Sequence, residues 1–299
     1  MRPIPVFAFV ACLGTAAGRG ECAPARPVAA RSIAAATIAP LASLAATVAG
    51  PGWEIRTVIP PGVSPHVFEP APRDVRRFAP ARLVVTVGAG YDDWAGRLMR
   101  ASSSSAILHD AGLSVGVERG DGGDHDGELG RDPHWWLSPR RAARALAPLA
   151  ERFAALDPPR ADEYLSRARA GAAALLALDA EIAALLRPVK GATVVAAHNS
   201  WAYFISEYGL VDGGAIETAP GREPSPRDFR RLLDLVRARR VRAVFAEPQF
   251  SPAAARVLAS DAGIRVAFVD PIGGVPGRAD YADLLRFDAR AFREALGGP

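Results

Sequence analysis

The sequence predicts an α/β protein of two lobes, each a mainly parallel sheet flanked by helices, joined by one long rigid backbone helix. Three observations lead to that class. Apolar runs of strand length alternate with helical patterns through the 299-residue chain, the order expected of parallel sheets covered on both faces. One helical pattern is much longer than the rest. Leu165, Ala168, Ala172, Leu175, Leu176, Ile182, Leu185 and Leu186 keep helical spacing for about seven turns before Pro188 stops it. At 1.5 Å per residue that helix is roughly 40 Å long, enough to cross both lobes as a stiff spine. The chain length also suits two domains of ordinary size, and 49% hydrophobic residues supply their cores.

In chain order, a strand is expected at about Val28–Ala30, then a helix at Ile38–Val48 ended by Gly50. Trp53–Ile59 alternates like a strand, and Pro60-Pro61-Gly62 breaks it. Pro72 opens a short helix over Arg73–Phe78. Arg82–Val87 is a buried strand stopped by Gly88, and Asp92 is placed to cap a helix over Asp93–Ala101. Gly116–Gly130 reads as a polar, glycine-rich solvated loop holding Asp121, Asp124, His125, Asp126 and Glu128. His109 reads as an exposed loop histidine. Ser138-Pro139 starts a helix running to about Leu156, with serine at the cap and proline at the first position. Asp157-Pro158-Pro159 opens the long helix. Beyond it, strands at Ala192–Ala197, Val241–Ala246 and Ile264–Val269 alternate with helices at Trp201–Glu207, Pro226–Arg239 and Pro252–Ala262. The division is therefore residues 1–25 as a secretory leader, 26–156 as an amino-terminal lobe, 157–188 as the linking helix and 189–299 as a carboxyl-terminal lobe.

The net charge is +4, from 36 basic and 32 acidic residues. Lys190 is the single lysine, and the arginines lie scattered among acids, so no nucleic-acid face is expected. Cys12 and Cys22 are the only cysteines, which excludes a disulfide framework and a cysteine-based zinc cluster in the folded body. Arg2, the apolar run from Val6 and small residues near Ala17 and Ala25 read as a weak export signal. Phe9-Val10-Ala11-Cys12 faintly resembles a lipoprotein box, making a lipid anchor at Cys12 the lesser alternative to a free periplasmic protein.

Four segments carry ligand chemistry. Val194–Ala197 is an apolar run that delivers His198 at its carboxyl end, and in open α/β sheets that edge is where ligands bind. Pro65-His66 follows the strand at 55–60, Val269-Asp270 follows the one at 264–268, and Asp132-Pro133-His134 sits just before a helix start. Three imidazoles and a carboxylate match the preference of zinc and, less well, of manganese or iron. Glu247 ends a neighbouring strand, where it can orient a ligand without touching metal. The alternative on the same residues is a zinc hydrolase with three histidines, an open fourth position and Glu247 as general base. Asp270 counts against it by filling that position.

The motif Gly62-x-x-Pro65-His66-x-x-Glu69-Pro70-x-Pro72-x-Asp74, followed by Gly88-x-Gly90-x-Asp92-x-Trp94, resembles the zinc/manganese-type solute-binding proteins of bacterial ABC transporters. So do Asp132-Pro133-His134-x-Trp136-Leu137-x-Pro139 and His198-x-x-x-x-Tyr203-Phe204-x-x-x-Tyr208-Gly209-Leu210. Phe245-Ala246-Glu247-Pro248-Gln249 and Asp270-Pro271-Ile272-Gly273 complete the order, over about residues 27–285. The resemblance implies metal held between two lobes by His66, His134, His198 and Asp270, with histidine at the third position favouring Zn2+ over Mn2+. It further implies a monomer that delivers the ion to a membrane permease with its ATPase. Some members of the family have also been described as adhesins. The long histidine-rich loop of many zinc members is missing from this chain.

Overall fold

The computed structural model describes residues 31–117, 132–217 and 224–297. These described residues form one compact unit. Its first half runs β1 (Ser32–Ala36), α1 (Ala39–Ala49), β2 (Trp53–Thr57), α2 (Pro72–Phe78), β3 (Ala81–Thr86), α3 (Trp94–Ala101), β4 (Ile107–Asp110), α4 (Ala111–Ser114) and α5 (Pro139–Leu156). The long helix α6 (Ala161–Leu186) follows. The second half runs β5 (Thr193–His198), α7 (Ala202–Glu207), β6 (Val211–Glu217), α8 (Pro226–Ala238), β7 (Ala243–Ala246), α9 (Ala253–Ala262), β8 (Arg265–Phe268) and α10 (Tyr281–Leu296).

The strands form two all-parallel four-stranded sheets of identical topology, β2-β1-β3-β4 and β6-β5-β7-β8. In each, the chain crosses from one side of the central strand to the other, leaving a crevice outside the carboxyl ends of β1/β3 and of β5/β7. A doubly wound sheet binds its ligand at that place. The central strands owe their position to composition. Ala34–Ala36 and Leu83–Val85 are almost fully buried, as are Val194, Val195 and Ala243–Phe245, as a strand covered on both faces requires.

Helix α6 spans 26 residues, about 39 Å at the standard rise. It packs on α1 and α5 of the first half and on α10 of the second, as expected of a spine. Ser138 caps α5 by accepting from the Arg141 amide at 3.2 Å. Its hydroxyl also reaches across the chain to Glu207 Oε2 at 2.6 Å.

The structure departs from the sequence reading in several places. β1 lies at Ser32–Ala36; the strand expected at Val28–Ala30, the leader with Cys12 and Cys22, and most of the glycine-rich loop with His125 lie outside the described residues. Asp92 does not cap α3. Its carboxylate accepts from the Val87 and Gly88 amides at 2.7 and 3.0 Å and from Thr37 Oγ1, tying the ends of β1 and β3 together beside the crevice. Burial pushes its pKa up to about 6 against those hydrogen bonds. Strands β4 and β6 and helix α10 also went unrecognised in the sequence. β4 is only four residues long, and β6 carries Gly213 and Gly214, the latter at φ 90°, which masks a strand pattern.

His109, expected in an exposed loop, is 3% exposed on β4, and its Nε2 finds no hydrogen-bond partner among the described residues. Burial, followed by the charge of Arg152, holds its pKa down at about 4. The unfolded chain takes up this proton near its ordinary pKa of about 6.5, while the folded chain resists it until about 4. Stability should therefore fall as pH drops through that window, by up to about 3 kcal/mol from this group. Urea midpoints of wild type and His109→Gln measured at pH 7 and 4.5 check this, and the variant should lose markedly less stability on acidification.

Candidate metal centre

His198 is the last residue of β5, and Glu247 follows β7 directly, so the two flank the crevice of the second sheet. His66 stands in a short 3-10 turn, Pro65–Val67, beyond β2. His134 precedes the 3-10 turn Trp135–Leu137 that leads into α5. Folding brings the three histidines together, each offering a ring nitrogen within 4.8 Å of the other two. His134 and His198 are buried and His66 is partly so.

Two of the imidazoles are oriented by carboxylates. Asp132 Oδ1 accepts from both the amide and Nδ1 of His134, at 2.9 and 2.7 Å. Glu247 Oε2 lies 2.8 Å from His198 Nδ1, an oblique ion-pair contact rather than a straight hydrogen bond. Glu247 is itself fixed, its Oε1 accepting from Ser200 Oγ at 2.9 Å and Trp201 Nε1 at 3.0 Å. A carboxylate on Nδ1 holds the imidazole in the tautomer whose Nε2 carries the lone pair, which is how metal-binding histidines are prepared. His66 is positioned by an edge contact from Tyr91, with ring centroids 4.7 Å apart.

The nitrogens suit an ion in their midst. His66 Nε2 and His134 Nε2 lie 3.2 Å apart. Two nitrogens bound about 2.0–2.1 Å from a tetrahedral zinc stand about 3.3 Å apart. His198 Nε2 is buried and has no hydrogen-bond partner among the described residues, and a buried polar atom left orphaned marks a place for something else. The electrostatics differ between the rings. Burial, then the neighbouring charges of His134 and His198, keep His66 well below its ordinary pKa and therefore neutral. Burial also opposes charge on His198, but Glu247 outweighs it and its pKa is raised. Metal binding needs all three imidazoles deprotonated, and with a divalent cation and the two orienting carboxylates they would then sum to zero net charge.

The space enclosed by these side chains is about 10 Å³, room for one ion or one water. Trp136, Tyr91 and Phe250 form its apolar walls. Trp136 also locks the two halves together, its Nε1 donating to Pro271 O at 2.8 Å and its carbonyl accepting from Tyr281 OH at 2.6 Å.

Asp270 does not join the three histidines. Its Oδ1 accepts from Gln249 Nε2 at 2.7 Å and from the Ile272 and Gly273 amides at 3.1 and 3.0 Å. Its Oδ2 faces Arg278 Nε at 3.4 Å. Glu247, expected to orient a ligand, lies against His198 Nδ1. Sequence reasoning gave Asp132 and Gln249 no role, although both stand in the quoted motifs; Tyr91 and Arg278 carried no signal beyond their neighbouring motifs.

A family model described as ZnuA, zinc-uptake complex component A, periplasmic, matches residues 35–295. The chain belongs to this family. Within it, the chain is 27% identical over 274 residues to the high-affinity zinc uptake system protein ZnuA of Yersinia pestis, covering 83% of this chain and 86% of that protein. It is 24% identical over 257 residues to the manganese-binding lipoprotein MntA of Halalkalibacterium halodurans, covering 83% of each. The fold matches a crystal structure of ZnuA with a TM-score of 0.80 at 26% identity, over 90% of this chain and 100% of that one. The ZnuA-family proteins are metal-binding components of metal uptake systems, which accords with a nitrogen-rich site enclosed between two sheets.

The orienting carboxylates lead to a measurable expectation. Glu247→Gln and Asp132→Asn should each weaken zinc binding about 10–100-fold, the usual loss when an imidazole loses its partner. Competition titration against a chelating dye reads this directly. Wild-type affinity in both variants would mean that the carboxylates serve only the fold.

Proposed function

We propose that this protein binds one divalent ion with high affinity outside the cytoplasm, zinc ahead of manganese, and delivers it to the permease and ATPase of an ABC importer. His66, His134 and His198 are the ligands through Nε2, and Asp132 and Glu247 orient two of them. Residues 1–25 act as the export signal, placing the protein in the periplasm as a monomer; residues 26–156 and 189–299 are the two lobes, and 157–188 is the link. The observation that carries the reading is the approach of His66 and His134 to 3.2 Å beside an unpartnered, buried His198 Nε2. An all-nitrogen set favours zinc over manganese by the general order of divalent affinities.

Two observations weigh against the hydrolase alternative. Both oxygens of Glu247 are engaged, by Ser200, Trp201 and His198, so it is not free to act as a base. The enclosed space holds one ion or water and no ester or peptide. Calorimetry on chelator-stripped protein should give a single tight event at one zinc per chain, with weaker manganese binding and no turnover of esters or peptides by the loaded protein. Two equal tight sites, or a clear preference for manganese, would overturn the assignment.

A further inference from the structure

At the edge of the second sheet opposite the metal crevice, the amino ends of β5 and β7 open into a second cleft. Its walls are residues 188–193 between α6 and β5, residues 239–242 between α8 and β7, and Leu296 at the end of α10. It has a volume of about 360 Å³. Lys190, Arg239, Arg240 and Arg242 line it, and no acidic residue does. Cations beside helix ends commonly serve the last carbonyls. That accounts for Arg242, whose Nη1 donates to Leu296 O at 2.7 Å. It does not account for the other three. Lys190, Arg239 and Arg240 make no side-chain hydrogen bond or ion pair among the described residues.

Two of these cations are placed in ways that a merely solvated charge does not require. Helix α8 ends in a pair of closing bonds, from the Arg240 amide to Arg237 O at 3.2 Å and from the Val241 amide to Val236 O at 3.0 Å. That motif sets the residue after the cap in the left-handed region, where glycine is usual. Here the residue is Arg240, at φ 51°, and a side chain there carries strain that glycine would not. Strain kept at such a position points to a side chain with a role. Lys190 is the single lysine among 36 basic residues. Its stem lies against the backbone of Gly209, where a Cβ would come within 2.8 Å of Lys190 Cε.

We propose that this cleft binds a multivalent phosphate group, free or carried on a lipid headgroup. The fields of cations gathered around a cleft without a carboxylate add, and an anion bearing two or more charges gains from each of them. Arginine forks match phosphate oxygens two at a time, and the lysine ammonium adds a point charge. The cleft is separate from the metal centre. Thr193 on its wall and His198 are the two ends of β5, about 17 Å apart at 3.3 Å per residue. The proposal therefore stands or falls independently of zinc binding.

The test uses the full chain stripped of metal, with inorganic pyrophosphate in buffer free of divalent cations. Calorimetry should show one pyrophosphate bound per chain, with an affinity that falls as salt rises, and the melting temperature should rise with pyrophosphate concentration. Lys190→Ala and Arg239→Gln should each bind about tenfold more weakly, the loss of one charge-assisted contact. Arg240→Gly is the decisive variant. It removes a cation and relieves the left-handed strain, so without ligand it should melt no lower than wild type, yet bind pyrophosphate about tenfold more weakly. Arg227→Gln removes the same charge at the far end of α8, outside the cleft, and should bind like wild type. Flotation with phosphatidylcholine vesicles, with and without cardiolipin, separates the two sources. Retention on cardiolipin that pyrophosphate competes away assigns the site to a headgroup, and pyrophosphate binding without retention assigns it to a free phosphate. Absence of both saturable pyrophosphate binding and cardiolipin retention in the wild type overturns the proposal. So does an equal loss in Arg227→Gln and Arg240→Gly, which would reduce the effect to diffuse surface charge.

Discussion

His198→Ala abolishes tight zinc binding, and with it the stabilisation that zinc confers, in the largest effect expected for this protein. The side chain supplies the buried Nε2 that has no other partner, from the end of the central strand of the second sheet. Its removal leaves His66 and His134, both on the first half of the chain, as a two-imidazole remnant. The loss should exceed the 10–100-fold expected for Glu247→Gln, because a coordinate bond disappears rather than an orienting contact. In the proposed site the ion would bridge groups from both halves and bind only the folded state, so zinc at 1,000 times its dissociation constant should stabilise the wild type by about 4 kcal/mol. For a chain of this size that is a rise of roughly 10 °C in melting temperature. The rise should vanish in His66→Ala, His134→Ala and His198→Ala alike, while His125→Ala keeps it. Wild-type zinc binding by His198→Ala together with loss in His125→Ala would move the site to the glycine-rich loop and sink the present assignment.

Acid should release the metal, and the order in which the histidines protonate should be visible. Zinc needs each Nε2 deprotonated, so protons compete with it. His198 takes up a proton more readily than His66, because Glu247 raises its pKa despite burial. His66 resists, because burial and its imidazole neighbours hold it well below its ordinary value. Below the raised pKa of His198, affinity should fall by at least about tenfold per pH unit, since that imidazole alone contributes one competing proton. The slope should steepen further at lower pH, once His66 also begins to charge. Glu247→Gln removes the group that raises the His198 pKa, so its binding should be weaker near neutrality and also flatter with pH. Zinc titrations at half-unit steps from pH 7.5 to 5 check both. An affinity independent of pH over that range would exclude a site made of histidines.

Much of the architecture was legible because local sequence pattern and tertiary role coincide. The apolar periodicity of α6 and its stop at Pro188 gave a helix that the structure places within a few residues. The Ser138-Pro139 start of α5, the breaks at Gly50 and Pro60, and the strand ending at His198 are equally local, since capping, φ restriction and burial on both faces each leave a mark on adjacent residues. Strand β6 escaped because its register depends on pairing with β5 and not on an alternating pattern of its own. His109 escaped for the same reason, its burial arising where β4 docks on β3.

For the site, the sequence by itself determined which residue types arrive at the carboxyl ends of the strands, and hence that imidazoles from both halves of the chain could meet. That follows from topology, since parallel strands joined by right-handed crossovers deliver their carboxyl ends to one edge. Only the tertiary structure decided which carboxylates serve which histidines. Asp132 and Glu247 back His134 and His198, while Asp270, an equal candidate from its place after β8, is taken up by Gln249, two amides and Arg278. The physical reason is that a carboxylate's role is set by whichever donors lie within about 3 Å of it, and those donors come from segments far apart in sequence.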